Sequence, residues 1–218
     1  KPIYQSSIEN YDSINKEIIP YIEKFVKEKP GRTAATTDVK GNTQFTDLEE
    51  AKDNLHKDKK YSRLFKKLQW HIKEFFTAKG YNAEKFDIHI TKAWATYTTK
   101  NQKIPSHKHT ASHFSCVYYV RNYEMGNLKI EEDRVWDLGG APPTEEYISN
   151  WNQFNFASYM IAVKTGDFVV FPSGFLHETE INTKDEPRIS ISADILLTMK
   201  QGISTEHCIP HPSGWRTL

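Results

Sequence analysis

The chain has 218 residues, of which 38% are hydrophobic and 26% charged, and its formal net charge is +1. These values are typical of one globular domain with a sizeable core and exclude a mainly disordered chain. Because 29 basic side chains balance 28 acidic ones and no apolar run approaches the length of a bilayer, we predict neither nucleic acid nor a membrane as partner.

The first 85 residues have the periodicity of helices. Apolar side chains recur every three to four residues over 14–26, and Pro30-Gly31 ends that segment. A second apolar stripe covers 64–76, and Gly80 suits the position just after a helix. We therefore predict that residues 1–85 are a mainly helical segment that braces the rest of the chain.

From about residue 86 the apolar period changes to two, with β-branched and aromatic residues between turn residues. The predicted strands are 86–90, 93–97, 115–120, 128–130, 158–163, 168–171 and 189–193. Many short strands with almost no helix indicate a sandwich or barrel. We predict one domain, with a β core over 86–200, an insertion or lid at 131–157 and a C-terminal tail at 201–218.

Three histidines indicate a metal site. His107 and His109 stand at i and i+2, so in extended backbone their side chains project from one face. His177 follows a Pro-Ser-Gly turn that would bring it to the mouth of another strand. Three such ligands occupy one face of an ion and leave the opposite positions open, as non-haem iron(II) chemistry requires.

The segment after His177 strengthens this hypothesis, because a bare His-x-His also occurs in polar loops. Arg188 and Ser190 alternate with Ile189 and Ile191, so the guanidinium and the hydroxyl share a face. Together they form a clamp for a carboxylate. A guanidinium inside a barrel is costly unless it meets an anion.

These motifs resemble those of the iron(II)/2-oxoglutarate-dependent oxygenases, above all the prolyl-hydroxylase-like branch with its bacterial and phage members. The matching residues are His107-Lys108-His109, Ser115 to Val120, Gly126-Asn127-Leu128, Gly166 to His177, and Arg188-Ile189-Ser190. The resemblance covers about residues 94–197. It implies a mainly β, α+β fold, namely a double-stranded β-helix braced by helices.

The resemblance also implies Fe(II) as cofactor, 2-oxoglutarate as cosubstrate, O2 as oxidant and hydroxylation of a peptide or small molecule. Carried over by position, two histidines match the iron ligands and four further residues match contacts of the cosubstrate. The iron ligands are His107 and His177, and the cosubstrate residues are Arg188, Ser190, Tyr119 and Tyr97. Without a Cys-x-x-Cys spacing in the chain, we expect a cytoplasmic enzyme; its substrate and oligomeric state stay open.

One position departs from the family pattern, which usually has Asp or Glu where this chain has His109. A neutral imidazole there leaves the iron site one charge unit more positive. Three outcomes follow: an active three-histidine site, a two-histidine site with His109 turned away, or a binding protein without turnover. The family members with His-x-His favour His109 as a ligand, and His113 is a candidate for contacting the ligands from behind.

Two other functions share the strands. The segment 166–177 also resembles the second cupin motif, and three-histidine cupin dioxygenases do not use 2-oxoglutarate. The first cupin motif, however, needs an acidic residue after His-x-His, and residues 110–116 contain none. A non-catalytic β-sandwich that binds a metal or carbohydrate is the third hypothesis, in which His107, His177 and Arg188 need not converge.

Overall fold

A computed structural model describes residues 3–28, 32–33, 42–45, 55–123, 127–131, 146, 148–150, 158–203 and 206–217. Its helices are α1 (Tyr11–Glu28) and α2 (Ser62–Ala78). Its strands are β1 (Tyr4–Ser7), β2 (Arg32–Thr33), β3 (Asn42–Phe45), β4 (Phe86–Thr98), β5 (Phe114–Arg121), β6 (Leu128–Glu131), β7 (Ser158–Ile161), β8 (Asp167–Pro172), β9 (Leu176–Thr179) and β10 (Arg188–Met199). Within these ranges no helix combines the length and apolar character needed to cross a membrane.

Two antiparallel sheets organise the molecule. The larger sheet has the order β1-β8-β5-β10-β4-β3-β2, and the smaller has the order β7-β6-β9. Strand β10 lies between β4 and β5, and pairs with β4 from Arg188 opposite Thr98 to Met199 opposite Phe86. This mainly β architecture with two helices confirms the α+β class that the family resemblance implied, and strands dominate after residue 86, where the apolar period changes.

The larger sheet has two differently used faces because successive side chains alternate along each strand. One face packs on the helices through residues such as Phe168, Ile189 and Ile191. The other face turns toward the smaller sheet, where Tyr119 and Phe171 join a second cluster of buried side chains. The inward face of β10 carries Arg188 and every second residue after it, so this strand brings polar groups between the sheets.

The helical stripes pack as predicted. The buried apolar residues of α2 are Leu64, Phe65, Leu68, Ile72, Phe75 and Phe76. In α1, Ile14, Ile18 and Ile22 are 1–2% exposed. Gly80 follows α2 with a φ of 76°, a left-handed conformation that glycine adopts without strain.

The N-terminal segment differs from the prediction in containing β1, β2 and β3 as well as helices. These three strands extend the large sheet at its two edges. They have two to four residues each, too short to show a period of two, and β1 forms through pairing with β8. Most of the predicted insertion at 131–157 lies outside the described residues.

Gly166, before β8, supplies a test of the packing between α1 and the sheet. Its φ is +90°, and a Cβ there would lie 2.4 Å from the Tyr11 ring. We expect Gly166→Ala to lower the free energy of unfolding by about 1–3 kcal/mol because the residue would be strained. Gly174→Ala is the matched control, since a Cβ at Gly174 meets nothing within 4 Å. Equal urea midpoints for the two variants would contradict this account.

Candidate metal centre

His107, His109 and His177 meet between the two sheets. Each offers one ligand nitrogen, and the three nitrogens lie within 4.8 Å of one another. Their positions are fixed by backbone pairing: His107 and His177 form an antiparallel bridge, with N–H to C=O distances of 3.0 and 2.9 Å. The His109 N–H donates to the Ser173 carbonyl at 2.9 Å. The convergence predicted from the sequence is therefore present.

The Nδ1 atom of each imidazole has an oxygen partner. His107 Nδ1 lies 2.8 Å from the Pro105 carbonyl, and His177 Nδ1 lies 3.0 Å from the Phe175 carbonyl. Since a carbonyl only accepts, Nδ1 carries the proton in both rings and Nε2 has a free lone pair. His109 Nδ1 lies 2.5 Å from a carboxylate oxygen of Asp194, which assigns it the same tautomer.

The lone pairs of the three rings consequently point into one space. The Nε2 atoms of His107 and His109 are 3.3 Å apart. Nitrogens that each lie about 2.1 Å from one ion are separated by about 3 Å at adjacent coordination positions. Three unprotonated nitrogens this close repel each other unless a cation lies between them. The donor set thus fits a divalent transition metal ion.

Burial keeps the His107 and His177 imidazoles neutral. Burial and, to a smaller extent, the neighbouring His107 lower the pKa of His177 to about 3. Burial also lowers the pKa of His107, although the Pro105 carbonyl opposes that shift. Neutral imidazoles are the form that binds metal ions.

These pKa shifts predict that the free energy of unfolding of the metal-free protein depends on pH. Between the ordinary histidine pKa of 6.5 and the value of about 3 for His177, the unfolded chain binds more protons than the folded one. The free energy of unfolding should therefore fall as the pH falls, by up to about 1.4 kcal/mol per pH unit for each such histidine. Urea unfolding at pH 7, 6 and 5 should show a shallower slope for His177→Gln, which cannot gain that proton. An unchanged slope in the variant would contradict the assignment.

A second polar site surrounds Arg188, which is 4% exposed. Its Nη2 donates to the Thr179 hydroxyl at 2.7 Å, while Nη1 has no hydrogen-bond partner among the described residues. The Tyr119 hydroxyl is also buried without a partner in that part of the chain. Burial raises the pKa of Tyr119, which therefore stays a neutral donor. Ser190 lies opposite Tyr119 in the β10–β5 register. Two buried donors without acceptors fit a carboxylate.

Two sequence predictions do not match these positions. Tyr97 packs against the helix-side cluster, opposite to the face of Arg188, because it stands an odd number of residues from Thr96 and Trp94. We leave it out of the site. His113 accepts a hydrogen bond from the Leu197 N–H at 3.0 Å. The left-handed φ of 64° at Ala111 breaks the alternation that would have aligned His113 with His109.

Sequence reasoning missed several residues that touch the centre. Asp194 and Ser115 contact His109 Nδ1, and the Trp94 ring lies 5.3 Å from the His109 ring. Thr179 contacts Arg188. The alternation that joined Arg188 to Ser190 reaches Asp194 when it is continued along β10, so a signal for this residue was present.

Comparison with known proteins adds a family match. Residues 92–194 match the family described as "Putative 2OG-Fe(II) oxygenase". No curated protein matches the chain.

Solved structures resemble the chain at low identity. The non-heme alpha ketoglutarate dependent epimerase SnoN from nogalamycin biosynthesis has a TM-score of 0.61 at 11% identity, over 89% of this chain and 76% of that one. A Pseudomonas putida prolyl-4-hydroxylase has a TM-score of 0.55 at 13% identity, over 89% and 92%. HygX from Streptomyces hygroscopicus, solved with nickel and 2-oxoglutarate, has a TM-score of 0.53 at 10% identity, over 89% and 82%. These likenesses confirm the predicted double-stranded β-helix.

Proposed function

We propose that the chain, whose residues 92–194 match the family of 2OG-Fe(II) oxygenases, is an Fe(II)- and 2-oxoglutarate-dependent hydroxylase of a peptide or small molecule. Its iron ligands are His107, His109 and His177. Arg188, Ser190 and Tyr119 hold the distal carboxylate of 2-oxoglutarate. The observation that carries the proposal is the presence of two sets of side chains between the sheets: three imidazole nitrogens within 4.8 Å of one another, and a buried guanidinium whose Nη1 has no hydrogen-bond partner among the described residues.

The protein's own residues bind and orient the reactants. The bound iron(II) would supply the oxidising chemistry, in which O2 and 2-oxoglutarate become succinate, CO2 and the hydroxyl group of the product. The imidazoles occupy one side of the centre, held by the Pro105 and Phe175 carbonyls and by Asp194. Arg188 and the Tyr119 hydroxyl would fix the far end of 2-oxoglutarate. Trp94, half-buried beside His109, lies where it would border the substrate.

The other two hypotheses leave observations unexplained. A cupin dioxygenase would use the three imidazoles but has no task for the buried Arg188 guanidinium with its unpaired Nη1. A non-catalytic β-sandwich that binds a carbohydrate has no reason to bring three imidazole nitrogens within 4.8 Å of one another, and one that binds a metal ion has no task for the buried Arg188 guanidinium. We therefore retain the oxygenase as the proposal.

Anaerobic titration tests it directly. We expect the purified protein to bind one Fe(II), and addition of 2-oxoglutarate to produce a visible metal-to-ligand charge-transfer band. On admission of O2, slow formation of succinate without substrate should follow. Iron binding without a 2-oxoglutarate band would favour the cupin alternative, and absence of iron binding would favour the binding module. The same titration with succinate replacing 2-oxoglutarate is the control, since it lacks the chelating oxo-acid end.

A further inference from the structure

We propose that Asp194 is a positioning residue of the metal centre: its carboxylate fixes His109 as a ligand and supplies, from behind the imidazole ring, the negative charge that a carboxylate ligand usually contributes. This inference rests on the proposed function, because it concerns the same ion. Non-haem iron(II) oxygenases commonly use two histidines and one carboxylate. Here the carboxylate stands behind the third histidine.

His109 is held differently from the other two imidazoles. His107 and His177 donate from Nδ1 to the backbone carbonyls of Pro105 and Phe175, which are neutral and belong to nearby loop and turn residues. His109 instead donates to a side chain, Asp194 Oδ1, at 2.5 Å. A carboxylate partner makes an imidazole more basic and a better ligand, as in carboxylate–histidine–metal arrangements.

Asp194 is itself buried and held in place. It is 6% exposed, and the His109 side chain is 10% exposed. Ser115 stands opposite Asp194 in the β10–β5 register and donates to Oδ1 at 3.3 Å. Its hydroxyl also lies 2.9 Å from the Ser173 hydroxyl, to which Ser112 donates at 2.8 Å. A chain of hydroxyls therefore holds the carboxylate in place, and its last member, Ser115, also lies 3.0 Å from His109 Nδ1.

The backbone also directs Asp194 into the centre. The β10–β4 register shifts between Asp194 and Ile195, so that Thr91 is left without an opposite residue. Such bulges re-aim a side chain and are frequent next to active sites. His109 is fixed independently by its N–H bond to the Ser173 carbonyl. The backbone of His109 is thus held by Ser173 and its imidazole by Asp194 on β10, and this keeps the ring directed into the centre.

This arrangement also resolves the charge difference noted from the sequence. Three neutral imidazoles leave the full charge of the ion uncompensated by protein ligands. The Asp194 carboxylate returns one negative charge within hydrogen-bond distance of His109. The net charge of the centre then equals that of a site with two histidines and one carboxylate.

The inference is tested by measuring Co(II) binding to D194N in two backgrounds, the wild type and H109D. Co(II) is suitable because its visible spectrum reports the number of ligands without turnover. We expect D194N to raise the Co(II) dissociation constant by about 10- to 100-fold. In the H109D background, where a carboxylate is the ligand itself, adding D194N should change the constant little. D194E should recover part of the affinity because it restores the charge. D167N is the matched control, since Asp167 is a buried carboxylate of the same sheet that accepts from Lys164 N–H instead.

A metal-free measurement supplies the second readout. Long-range proton–nitrogen correlation spectra should show His109 protonated at Nδ1 in the wild type and a mixture of tautomers in D194N. His177 should keep its tautomer in both, because its partner is a carbonyl.

Equal loss of Co(II) affinity on D194N in both backgrounds, or no loss in either, would overturn the inference. Wild-type protein that binds no Co(II) would refute the proposed function and this inference together. Binding of Co(II) without any response to 2-oxoglutarate would refute the proposed function and leave Asp194 its role.

Discussion

Arg188→Met should strongly weaken 2-oxoglutarate binding while leaving the metal-free protein as stable as the wild type or more so. Truncating one partner of a buried charge pair costs about 2–5 kcal/mol, or roughly a 30- to 4000-fold rise in the dissociation constant. The free energy of unfolding of the metal-free variant should instead stay equal or rise, because the wild-type guanidinium is 4% exposed and its Nη1 has no acceptor among the described residues. Burial lowers the pKa of Arg188, which reflects the same cost.

Two measurements check this expectation. Thermal unfolding should show that 2-oxoglutarate with Fe(II) raises the midpoint of the wild type but not of the variant. Arg121→Met is the matched control: Arg121 stands opposite Ile189 on β5 and pairs with Glu23 at 2.8 Å. We expect that control to bind 2-oxoglutarate normally. An Arg188→Met protein with wild-type affinity would show that the carboxylate binds elsewhere.

His177→Ala should eliminate stoichiometric Fe(II) binding. His177 is the most buried of the three candidate ligands at 5% exposure, and its ring lies 4.2 Å from the His107 ring and 5.1 Å from the His109 ring. Its loss leaves only the nitrogens of His107 and His109 as candidate ligands in this group. We expect the affinity to fall by more than the roughly 10- to 100-fold that follows the loss of a residue behind a ligand.

Anaerobic calorimetry with Fe(II) measures this effect, and free imidazole should restore part of the binding by entering the space left behind. His211→Ala is the control, because His211 is half-exposed and caps the turn at 212–214. If His177→Ala retained one tightly bound Fe(II), the ion would have other ligands and the proposed centre would be wrong.

The sequence predicted what depends on local periodicity. The stripes of α1 and α2, the strands β4, β5, β8 and β10, and the pairing of Arg188 with Ser190 all follow from alternation over a few residues. His107 and His177 were predicted from their local sequence context and from a family resemblance, and the bridge between them is a long-range pairing that periodicity cannot reveal. Asp194 was missed although it lies on the predicted face.

Each difference between prediction and structure has its own physical cause. Tyr97 was carried over from the family by its position, yet alternation along β4 places it on the helix-side face. His113 was placed by counting through Ala111, whose positive φ interrupts the count. The edge strands β1 to β3 form only because a longer strand is available for pairing, which is a tertiary effect.

Strand β10 has a final consequence for the chemistry. It carries Arg188 at its beginning and Asp194 six residues later, which spans about 20 Å of extended backbone. Both of its edges are hydrogen-bonded, to β4 and β5, and a slip by one residue would turn every inward side chain outward. Under the proposed function, Arg188 anchors the cosubstrate and Asp194 positions the ligand His109, so one strand paired on both edges fixes both. The spacing between these two positions therefore cannot change as it could if they lay on a loop.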